Sequence, residues 1–303
     1  MDLRQLAALA AVAEAGSFSA AARRLHTVQS NVSTHIARLE RELGAALVDR
    51  ATGTLTDEGE VVVDRARRIN HEIVSLRADV ESMLHEVSGP VRLGCIGTVG
   101  RWLAPRLLEL MAERHPKVNV VIVDATTTSL VPQVVAQSLD LAIINLPFAG
   151  SELDTEPLFD EDRIVLAPRD HPIAERERID LVDLARHELL LEPRGTAFRD
   201  ELDDEAAAVG AHLRAQAEID GIRLLTSLAF EGFGAAVVPA TAAPAWFESR
   251  CRRVRVDGLA PRAVGLATPR RVRLSAPARA VRTALLDTVA AADLEGVRLT
   301  LSR

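Results

Sequence analysis

Residues 29–43 form the stretch QSNVSTHIARLEREL, which predicts a short amphipathic helix. Val32, Ile36, Leu39 and Leu43 recur at spacings of four, three and four residues, so they fall on one face of a helix. The opposite face carries hydroxyl, amide and guanidinium side chains. The pattern therefore predicts a helix with one face in a core and one polar face available to solvent or to a partner.

The segments on either side of this helix predict a small helical domain. Residues 3–13 show helical spacing of apolar residues, and Gly16 ends that run. Ser17 is a suitable N-cap for a second short helix. After the third helix, residues 47–56 predict a hairpin with Thr52-Gly53 at its turn. Three short helices and a hairpin indicate a mainly α-helical winged helix-turn-helix domain over residues 1–58.

A longer helix is predicted from Asp57 to Val87, a segment without proline. Its apolar residues alternate between spacings of four and three, which is the period of a coiled coil. They are Val62, Ala66, Ile69, Ile73, Leu76, Val80, Met83 and Val87. Arginine and glutamate occupy most flanking positions, which favours pairing with an identical helix over packing on the core of its own domain. We therefore assign residues 59–89 to a dimerisation linker helix.

Residues 90–303 alternate between apolar strand patterns and amphipathic helices. This alternation is typical of doubly wound parallel sheets, and the segment is long enough for two lobes. We expect the chain to cross between lobes near Asp160–Arg163 and to return near Gly265–Thr268. The expected lobe I is about 90–162 with 266–303, and lobe II is about 163–265. The predicted class is α/β overall, with strands at 91–96, 118–124, 140–144, 163–167, 188–192, 214–219, 235–238 and 264–267.

Composition excludes some classes of protein but does not identify the function. The chain has 303 residues, a formal net charge of −7 and two cysteines, so a disulfide framework is not expected. No apolar run is long enough for a membrane span, and no secretion signal is apparent, so we expect a cytoplasmic protein with no membrane partner. Residues 1–58 contain six arginines and seven acidic residues, which predicts weak binding to random DNA.

The polar face of residues 29–43 is chemically suited to contact DNA. Glutamine and asparagine can pair with adenine edges, and serine and threonine reach either bases or phosphates. The alternative is a solvated polar face, which any surface helix has. The candidate DNA-binding residues on this face are Gln29, Ser30, Asn31, Ser33, Thr34 and Arg38.

Motifs for catalysis, cofactors and metals are not found in the sequence. The glycines from Gly94 to Gly100 lack the spacing of a dinucleotide site, and the eight histidines lack ligand spacing. No activated nucleophile or acid–base pair is apparent, so we predict no catalytic residues, no cofactor and no metal. Cys95 lies in an apolar strand pattern and is expected to be a buried filler. Cys251 precedes Arg252 and Arg253, which could lower the pKa of its thiol.

The N-terminal segment resembles the LysR-type transcriptional regulators. The resemblance is carried by LAALAAVAEAGSFSAAARRL at 6–25, VQSNVSTHIARLERELG at 28–44 and LVDR at 47–50, and it continues through Leu55–Gly59. It implies binding to double-stranded operator DNA through the major groove, and dimerisation through the long helix as a homodimer or homotetramer. It also implies a C-terminal effector domain similar to periplasmic binding proteins, with a small molecule between the lobes.

The resemblance also implies specific contacts. Gln29, Ser30, Ser33 and Thr34 would contact bases or phosphates, and Arg50 with the wing would touch the adjoining backbone. The chain departs from the family pattern at Thr34, where many relatives carry arginine. Its wing is also shorter and less basic than is usual in the family.

The expected effector site lies at the carboxyl ends of the strands, where helix starts favour anions. The residues that the resemblance places there suit a small organic anion, although each threonine could instead be a helix cap. Peroxide-sensing relatives carry a cysteine pair in the second lobe, where only Cys251 falls here, so redox sensing is not expected. The candidate effector residues are Thr98, Val99, Thr127, Asn145, Thr196, Phe198 and Asp220.

Two other classes of protein remain as alternatives. A bilobal small-molecule binding protein without DNA function would use the same C-terminal fold, but it has no need for residues 1–87. An α/β enzyme would need a catalytic motif. We therefore expect an allosteric transcriptional regulator in which the effector changes the geometry of paired DNA-binding domains.

Overall fold

The computed structural model describes residues 1–49, 52–243, 249–270 and 272–300. Its N-terminal domain contains the helices α1 (Leu3–Ala15), α2 (Phe18–Arg24) and α3 (Gln29–Leu43). Leu9 of α1 packs with Val32, Ile36 and Leu39 of α3, and all four side chains are fully buried. The apolar stripe of α3 is therefore the centre of this small core.

Helix ends in this domain follow the capping signals. The Asp2 side chain accepts a hydrogen bond from the Gln5 N–H, and the Gln5 side chain accepts one from the Asp2 N–H, which is a capping box. Gly16 ends α1 at a φ of 68°, a conformation that glycine adopts without strain. Ser17 caps α2 by accepting a hydrogen bond from Ala20 N.

The predicted hairpin is present as a single antiparallel bridge between Val48 and Leu55. The Thr56 N–H donates to Leu47 O at 3.1 Å, so the hairpin returns the chain to the end of α3. Arg50, a predicted DNA contact, lies outside the described residues. Together with α1–α3, the hairpin forms a winged helix-turn-helix arrangement.

The long helix α4 spans Asp57–Leu84 and so ends three residues before the predicted Val87. Thr56 caps it by accepting a hydrogen bond from Gly59 N at 3.0 Å. The strand that follows begins at Ser88, because that segment pairs with a neighbouring strand from Ser88 onward. Residues 85–87 therefore connect the helix to the strand and belong to neither.

Helix α4 has one buried side and one exposed side. Val63, Ala66 and Ala78 are buried against the rest of the chain. Ala66 and the half-buried Val62 thus pack on the N-terminal core, so the start of the predicted coiled-coil stripe is wrong. The exposed side carries apolar residues of the predicted coiled-coil stripe. These are Ile69, Leu76, Val80 and Met83, which are 37%, 64%, 48% and 87% exposed.

Residues after α4 form two α/β lobes, each around a six-stranded sheet. Lobe I holds β1 (Ser88–Cys95), α5 (Gly97–Arg114), β2 (Lys117–Asp124), α6 (Thr127–Val135), β3 (Leu141–Leu146), β4 (Leu153–Glu161), β11 (Arg262–Pro269), α10 (Ala276–Ala290) and β12 (Val297–Leu299). Lobe II holds β5 (Arg163–Pro168), β6 (Arg178–Asp180), α7 (Leu181–Leu184), β7 (Glu188–Leu191), α8 (Ala197–Ala208), β8 (Arg214–Glu218), α9 (Ile222–Phe230), β9 (Ala235–Pro239) and β10 (Cys251–Asp257). The strand orders are β12-β4-β11-β3-β1-β2 and β6-β10-β5-β9-β7-β8.

The sheets are mixed, whereas the sequence predicts parallel ones. The pairs β1–β2 and β1–β3 are parallel, as are β7–β8 and β7–β9. The strands that connect the lobes are antiparallel to these: β11 to β3 and β4, and β5 to β9 and β10. The α/β class and the two-lobed architecture are confirmed, and only the all-parallel detail is wrong.

The two crossings between the lobes lie next to each other. The outward crossing is at Asp162, between β4 and β5, within the predicted range. The return falls at 258–261, several residues before the predicted Gly265–Thr268. Arg262 already pairs with Glu161 in the sheet register of lobe I, so the first residues of β11 belong to that lobe.

Membrane-spanning potential is weak in the described part of the chain. No single helix there is long and apolar enough to cross a membrane. Helices α1 and α2 pass that test only when taken together, and they are bent by 116° relative to each other.

Candidate functional site

The polar face of α3 projects from the N-terminal domain. Val32, Ile36 and Leu39 are fully buried, so the opposite side of the helix faces away from the core. Ser33 lies on the flank and is half-buried. The exposed residues of the predicted set are Gln29, Ser30, Asn31, Thr34 and Arg38.

Hydrogen bonds orient several of these side chains. The Ser19 hydroxyl of α2 donates to Gln29 Oε1 at 2.7 Å, and this bond leaves the amide N–H groups of the exposed Gln29 side chain available to a partner. The Thr34 hydroxyl donates to the Ser30 carbonyl at 2.8 Å, so its oxygen can still accept a hydrogen bond. The first two turns of α3 therefore present preoriented donors and acceptors.

Acidic groups of this domain are engaged away from the polar face of α3. Glu14 forms an ion pair with Arg24 at 2.6 Å. Glu40 accepts hydrogen bonds from Leu47 N and Val48 N, at 3.0 and 3.3 Å. No acidic residue occurs between Gln29 and Leu39. A domain with nearly balanced charge can thus present a non-acidic helix start to a phosphate backbone.

A buried polar cluster lies where the chain crosses between the lobes. The Arg262 guanidinium is bonded to Glu161 Oε1, with its Nε at 2.8 Å, and Glu161 is fully buried. The second oxygen of Glu161 accepts from Thr241 N at 3.0 Å and from the Thr241 hydroxyl at 2.7 Å. Every strong acceptor of the carboxylate is therefore used, and the cluster joins β4, β11 and lobe II.

Arg262 also connects this cluster to the interlobe cleft. Its Nη2 donates to Thr98 Oγ1 at 2.9 Å, at the start of α5. The sequence analysis predicts Thr98 at the cleft but identifies neither Arg262 nor Glu161. Their contact depends on the pairing of β4 with β11, which brings residues 101 positions apart into contact. No local motif signals that pairing.

Two more predicted residues meet at the carboxyl ends of the strands in lobe I. Thr127 Oγ1 accepts a hydrogen bond from Asn145 N at 2.9 Å. The Asn145 Oδ1 atom is buried and has no hydrogen-bond partner among the described residues. Val99, by contrast, is fully buried in the core of lobe I, so its side chain does not line the cleft, and that assignment is wrong.

Lobe II contributes a carboxylate that the sequence analysis missed. Glu192 follows β7 and is half-buried. Its pKa is raised above the usual range, first by burial and second by the charge of Asp220, while the Gly221 N–H, Arg262 and the Thr196 hydroxyl oppose the shift. Thr196 and Asp220 therefore lie beside Glu192, as a site at the ends of the strands requires.

The other predicted residue of lobe II has a mainly structural position. Phe198 is half-buried and packs against the core of that lobe. The Thr196 hydroxyl also donates to the Pro193 carbonyl at 2.9 Å, which stabilises the turn before α8.

One ion pair joins the two lobes across the cleft. Arg223, in the first turn of α9, is paired with Asp124 at the end of β2. A Cβ on Gly97 would lie 2.7 Å from Asp124 Oδ1 and 3.2 Å from Arg223 Nε. Glycine at position 97 therefore leaves room for a contact between lobe I and lobe II.

The cleft combines donors on one side with acceptors on the other. Arg262, Thr98 and Thr127 supply donors from lobe I, and Glu192 with Asp220 supplies acceptors from lobe II. This arrangement can hold a small polar molecule. No group of three or more histidine, cysteine, aspartate or glutamate side chains suited to a metal ion occurs among the described residues.

Neither cysteine lies in surroundings that favour the thiolate form of its side chain. Cys95 is buried, and burial followed by the charge of Asp124 raises the pKa of its thiol to about 12. Burial also raises the pKa of the Cys251 thiol, although Arg169 and Arg250 oppose that shift. The arginines that follow Cys251 in sequence therefore do not activate it, contrary to the suggestion from the sequence.

Comparison with known proteins matches both parts of the chain. A family model described as "Bacterial regulatory helix-turn-helix protein, lysR family" matches residues 3–60. A second, described as "LysR substrate binding domain", matches residues 85–290. The matched segments together span most of the chain.

Curated relatives agree with these models. The chain is 31% identical over 246 residues to the "DNA-binding transcriptional dual regulator OxyR" of Escherichia coli K12, which covers 80% of this chain and 81% of that protein. It is 31% identical over 300 residues to a "Probable hydrogen peroxide-inducible genes activator" of Streptomyces viridosporus, which covers 98% and 95%.

Solved structures share the whole architecture. A full-length OxyR variant from Pseudomonas aeruginosa is 26% identical and superposes with a TM-score of 0.75, covering 100% of this chain and 99% of that chain. CbnR in complex with its target DNA has the same fold at 23% identity and a TM-score of 0.71, covering 96% and 99%.

The raised pKa of Glu192 predicts a pH-dependent effect of Glu192→Gln on stability. Below the usual value of 4.5 the carboxyl is protonated in both the folded and the unfolded chain, so the variant and the wild type differ little. At higher pH the wild type must keep a disfavoured charge or hold a proton that the unfolded chain releases. We therefore expect the variant to have the higher Tm at pH 7 and about the same Tm as wild type near pH 4, by thermal unfolding.

Glu113→Gln is the matched control, because Glu113 is exposed on α5. A Tm difference for Glu192→Gln that is the same at both pH values would contradict the prediction.

Proposed function

This chain belongs to the LysR family of bacterial transcriptional regulators, and we propose that it binds operator DNA through paired α3 helices under the control of a small molecule in the interlobe cleft. It is a DNA-binding regulator with an effector-binding domain, as both family models indicate. The observation that carries the detailed proposal is the exposed, preoriented polar face at the start of α3.

Catalysis has no part in this proposal. The relatives are transcriptional regulators by name, and the sequence analysis predicts no catalytic residues. We propose a cytoplasmic location, because operator DNA is part of the chromosome.

Pairing of two chains follows from α4. Its exposed stripe keeps the coiled-coil period from Ile69 to Met83, and water is a poor environment for four apolar side chains in line. An identical helix offers a complementary stripe, and pairing would hold two α3 helices at a fixed separation. Such a dimer, or a tetramer built from it, reads two half-sites.

We propose that the first turn of α3 carries most of the base recognition. The free amide N–H groups of Gln29 can donate to base edges, and Thr34 and Ser30 can contact bases or phosphates. Arg38 lies further along the same face and is suited to a phosphate. Arg50 is retained in the proposal from the family resemblance alone.

Gln29→Ala tests this recognition. Because the variant removes exposed amide donors without touching the core, we expect affinity for the DNA upstream of the gene to fall about tenfold, while affinity for random duplex changes less than about twofold. Fluorescence anisotropy at a fixed salt concentration measures both affinities.

Gln133→Ala is a matched control in lobe I, where the Gln133 amide bonds to its own helix. Equal weakening on both DNA duplexes would show that Gln29 serves only general backbone binding. Unchanged affinity on the upstream DNA would remove Gln29 from the interface.

For the effector we propose a small carboxylic acid that also carries a hydrogen-bond donor. The carboxylate of this effector faces Arg262 and the hydroxyls of Thr98 and Thr127. The proposal therefore agrees with the small organic anion that the sequence analysis expects. The donor, a hydroxyl or an ammonium group, faces Asn145 Oδ1, a buried acceptor without a partner among the described residues that a simple carboxylate would leave unsatisfied, and the nearby carboxyl of Glu192.

Thiol oxidation is not the signal that we propose. Several relatives are named for hydrogen peroxide, yet both thiols here are buried with raised pKa values. A thiol that stays protonated is a poor nucleophile toward peroxide. The cleft therefore responds by binding a ligand without a covalent step.

Coupling between the cleft and the DNA-binding domain follows the strands β1 and β3. The cleft lies at the carboxyl ends of these strands, and α4 contacts the opposite ends. His71 Nε2 lies 3.5 Å from Asp140 Oδ1, and Asp140 also accepts a hydrogen bond from Arg92 N at 2.7 Å. Asp79 of α4 accepts from Ala276 N at 2.6 Å. Movement of lobe I thus carries α4 with it.

A matched ligand series tests the effector class. Succinate, malate and aspartate share one skeleton and differ at one carbon, and propionate, lactate and alanine form a shorter set. We expect a hydroxy or amino acid to raise Tm more than its parent acid, and Thr98→Val to abolish most of that increase in a thermal-shift assay.

Thr128→Val is the control, because Thr128 is exposed and bonds only to Thr126 among the described residues. Parent acids that bind better than their hydroxy and amino derivatives would contradict the donor requirement. Binding that survives Thr98→Val would place the ligand elsewhere.

A further inference from the structure

A second cavity lies on lobe II, on the side of β10. Its volume is about 580 Å³, within the range of small-molecule sites. None of its lining residues belongs to the interlobe cleft. Five arginines line it: Arg169, Arg178, Arg252, Arg253 and Arg255.

The cavity has an excess of positive charge. Against five arginines it contains only two acidic residues, Glu177 and Glu295. This concentration is unusual in a chain with a net charge of −7. Guanidinium groups bind phosphates and carboxylates through paired hydrogen bonds, so the lining is suited to an anion with several oxygens.

Existing contacts hold part of the lining in place. Arg178 Nε lies 3.1 Å from Asp257 Oδ1, and that pairing raises the pKa of Arg178 further. Arg253 Nη2 donates to the Ala240 carbonyl at 2.7 Å. Arg252 is exposed and forms no ion pair within the described part of the chain. The cavity therefore combines fixed guanidinium groups with one that is free to close on a ligand.

The cavity also spans a structural junction. Arg255 Nη2 lies 3.5 Å from Glu295 Oε1, in the segment that leads into β12 of lobe I. The neighbouring Gly296 carbonyl accepts a hydrogen bond from Asp162 N, at the outward crossing between the lobes. A ligand here would touch lobe II and a segment bound to the crossing, behind the cleft.

We propose that this cavity binds a small polyanion, a molecule with at least two phosphate or carboxylate groups, at a site separate from the effector cleft. Its concave shape and limited volume favour a compact molecule over a DNA duplex or an extended acidic peptide. The bound anion neutralises the arginines and bridges β10 to the C-terminal segment.

Isothermal titration of the full chain with pyrophosphate, and separately with citrate, tests the proposal. The double variant Arg252→Gln/Arg255→Gln should weaken binding of both anions about tenfold or more, because charge-assisted hydrogen bonds are lost. The charge-matched control Arg65→Gln/Arg106→Gln, on α4 and α5, should change the affinity less than about twofold. Thr98→Val should leave both affinities unchanged. Loss for only one of the two anions would identify phosphate or carboxylate as the preferred group.

Four outcomes would overturn the proposal. The first is the absence of binding at millimolar concentrations of either anion. The second is equal weakening in the test and control variants, which would indicate a general charge effect. The third is loss of binding in Thr98→Val, which would place the anions in the cleft. Binding of poly-glutamate without either small anion would likewise overturn it in favour of an acidic protein partner.

Discussion

Helix α4 packs against its own chain on one side and exposes apolar side chains on the other, and the rest of the architecture depends on this constraint. One side of the helix is buried against its own chain through Val63, Ala66 and Ala78. The other side leaves Leu76 and Met83 largely in water. Full burial of such side chains is worth about 1.5–3 kcal/mol each, so an identical helix is a strong partner. Because α4 connects the two ends of the chain, the pairing that we propose would fix where each α3 helix points.

Helix α4 connects the N-terminal domain to lobe I, and a buried polar cluster connects lobe I to lobe II. Glu161, Arg262 and Thr241 tie the crossing point to both lobes, and every strong acceptor of the Glu161 carboxylate is satisfied. Breaking such a cluster leaves a buried charge, so it resists partial rearrangement. The cluster therefore favours movement of whole lobes over local rearrangement. Lobe I contacts α4 through Asp79 and Asp140, and these contacts are the route of coupling that we propose.

Local patterns predicted the helices well and the lobe junction poorly. The α3 stripe and the Gly16 and Ser17 signals act within a few residues, so periodicity and capping were sufficient. The strand β4 has the sequence LDTEPLFDE, with acids and a proline, and its role depends on pairing with β11. Arg262 is important only because that pairing brings it to Glu161. Thr98 and Thr127 stay predictions from the family resemblance. The sequence analysis also placed Val99 in the cleft, whereas the side chain of Val99 packs in the core of lobe I.

The mass of the full chain in solution tests the central role of α4 most directly. Light scattering coupled to size exclusion, across micromolar concentrations and again with operator DNA present, distinguishes a single chain of 32.7 kDa from its multiples. Pairing through α4 predicts two or four times that mass for the wild type, and a shift toward the single-chain mass for Leu76→Glu but not for Glu81→Lys on another face of α4. A wild-type mass of one chain under all these conditions, including on DNA, would contradict the account.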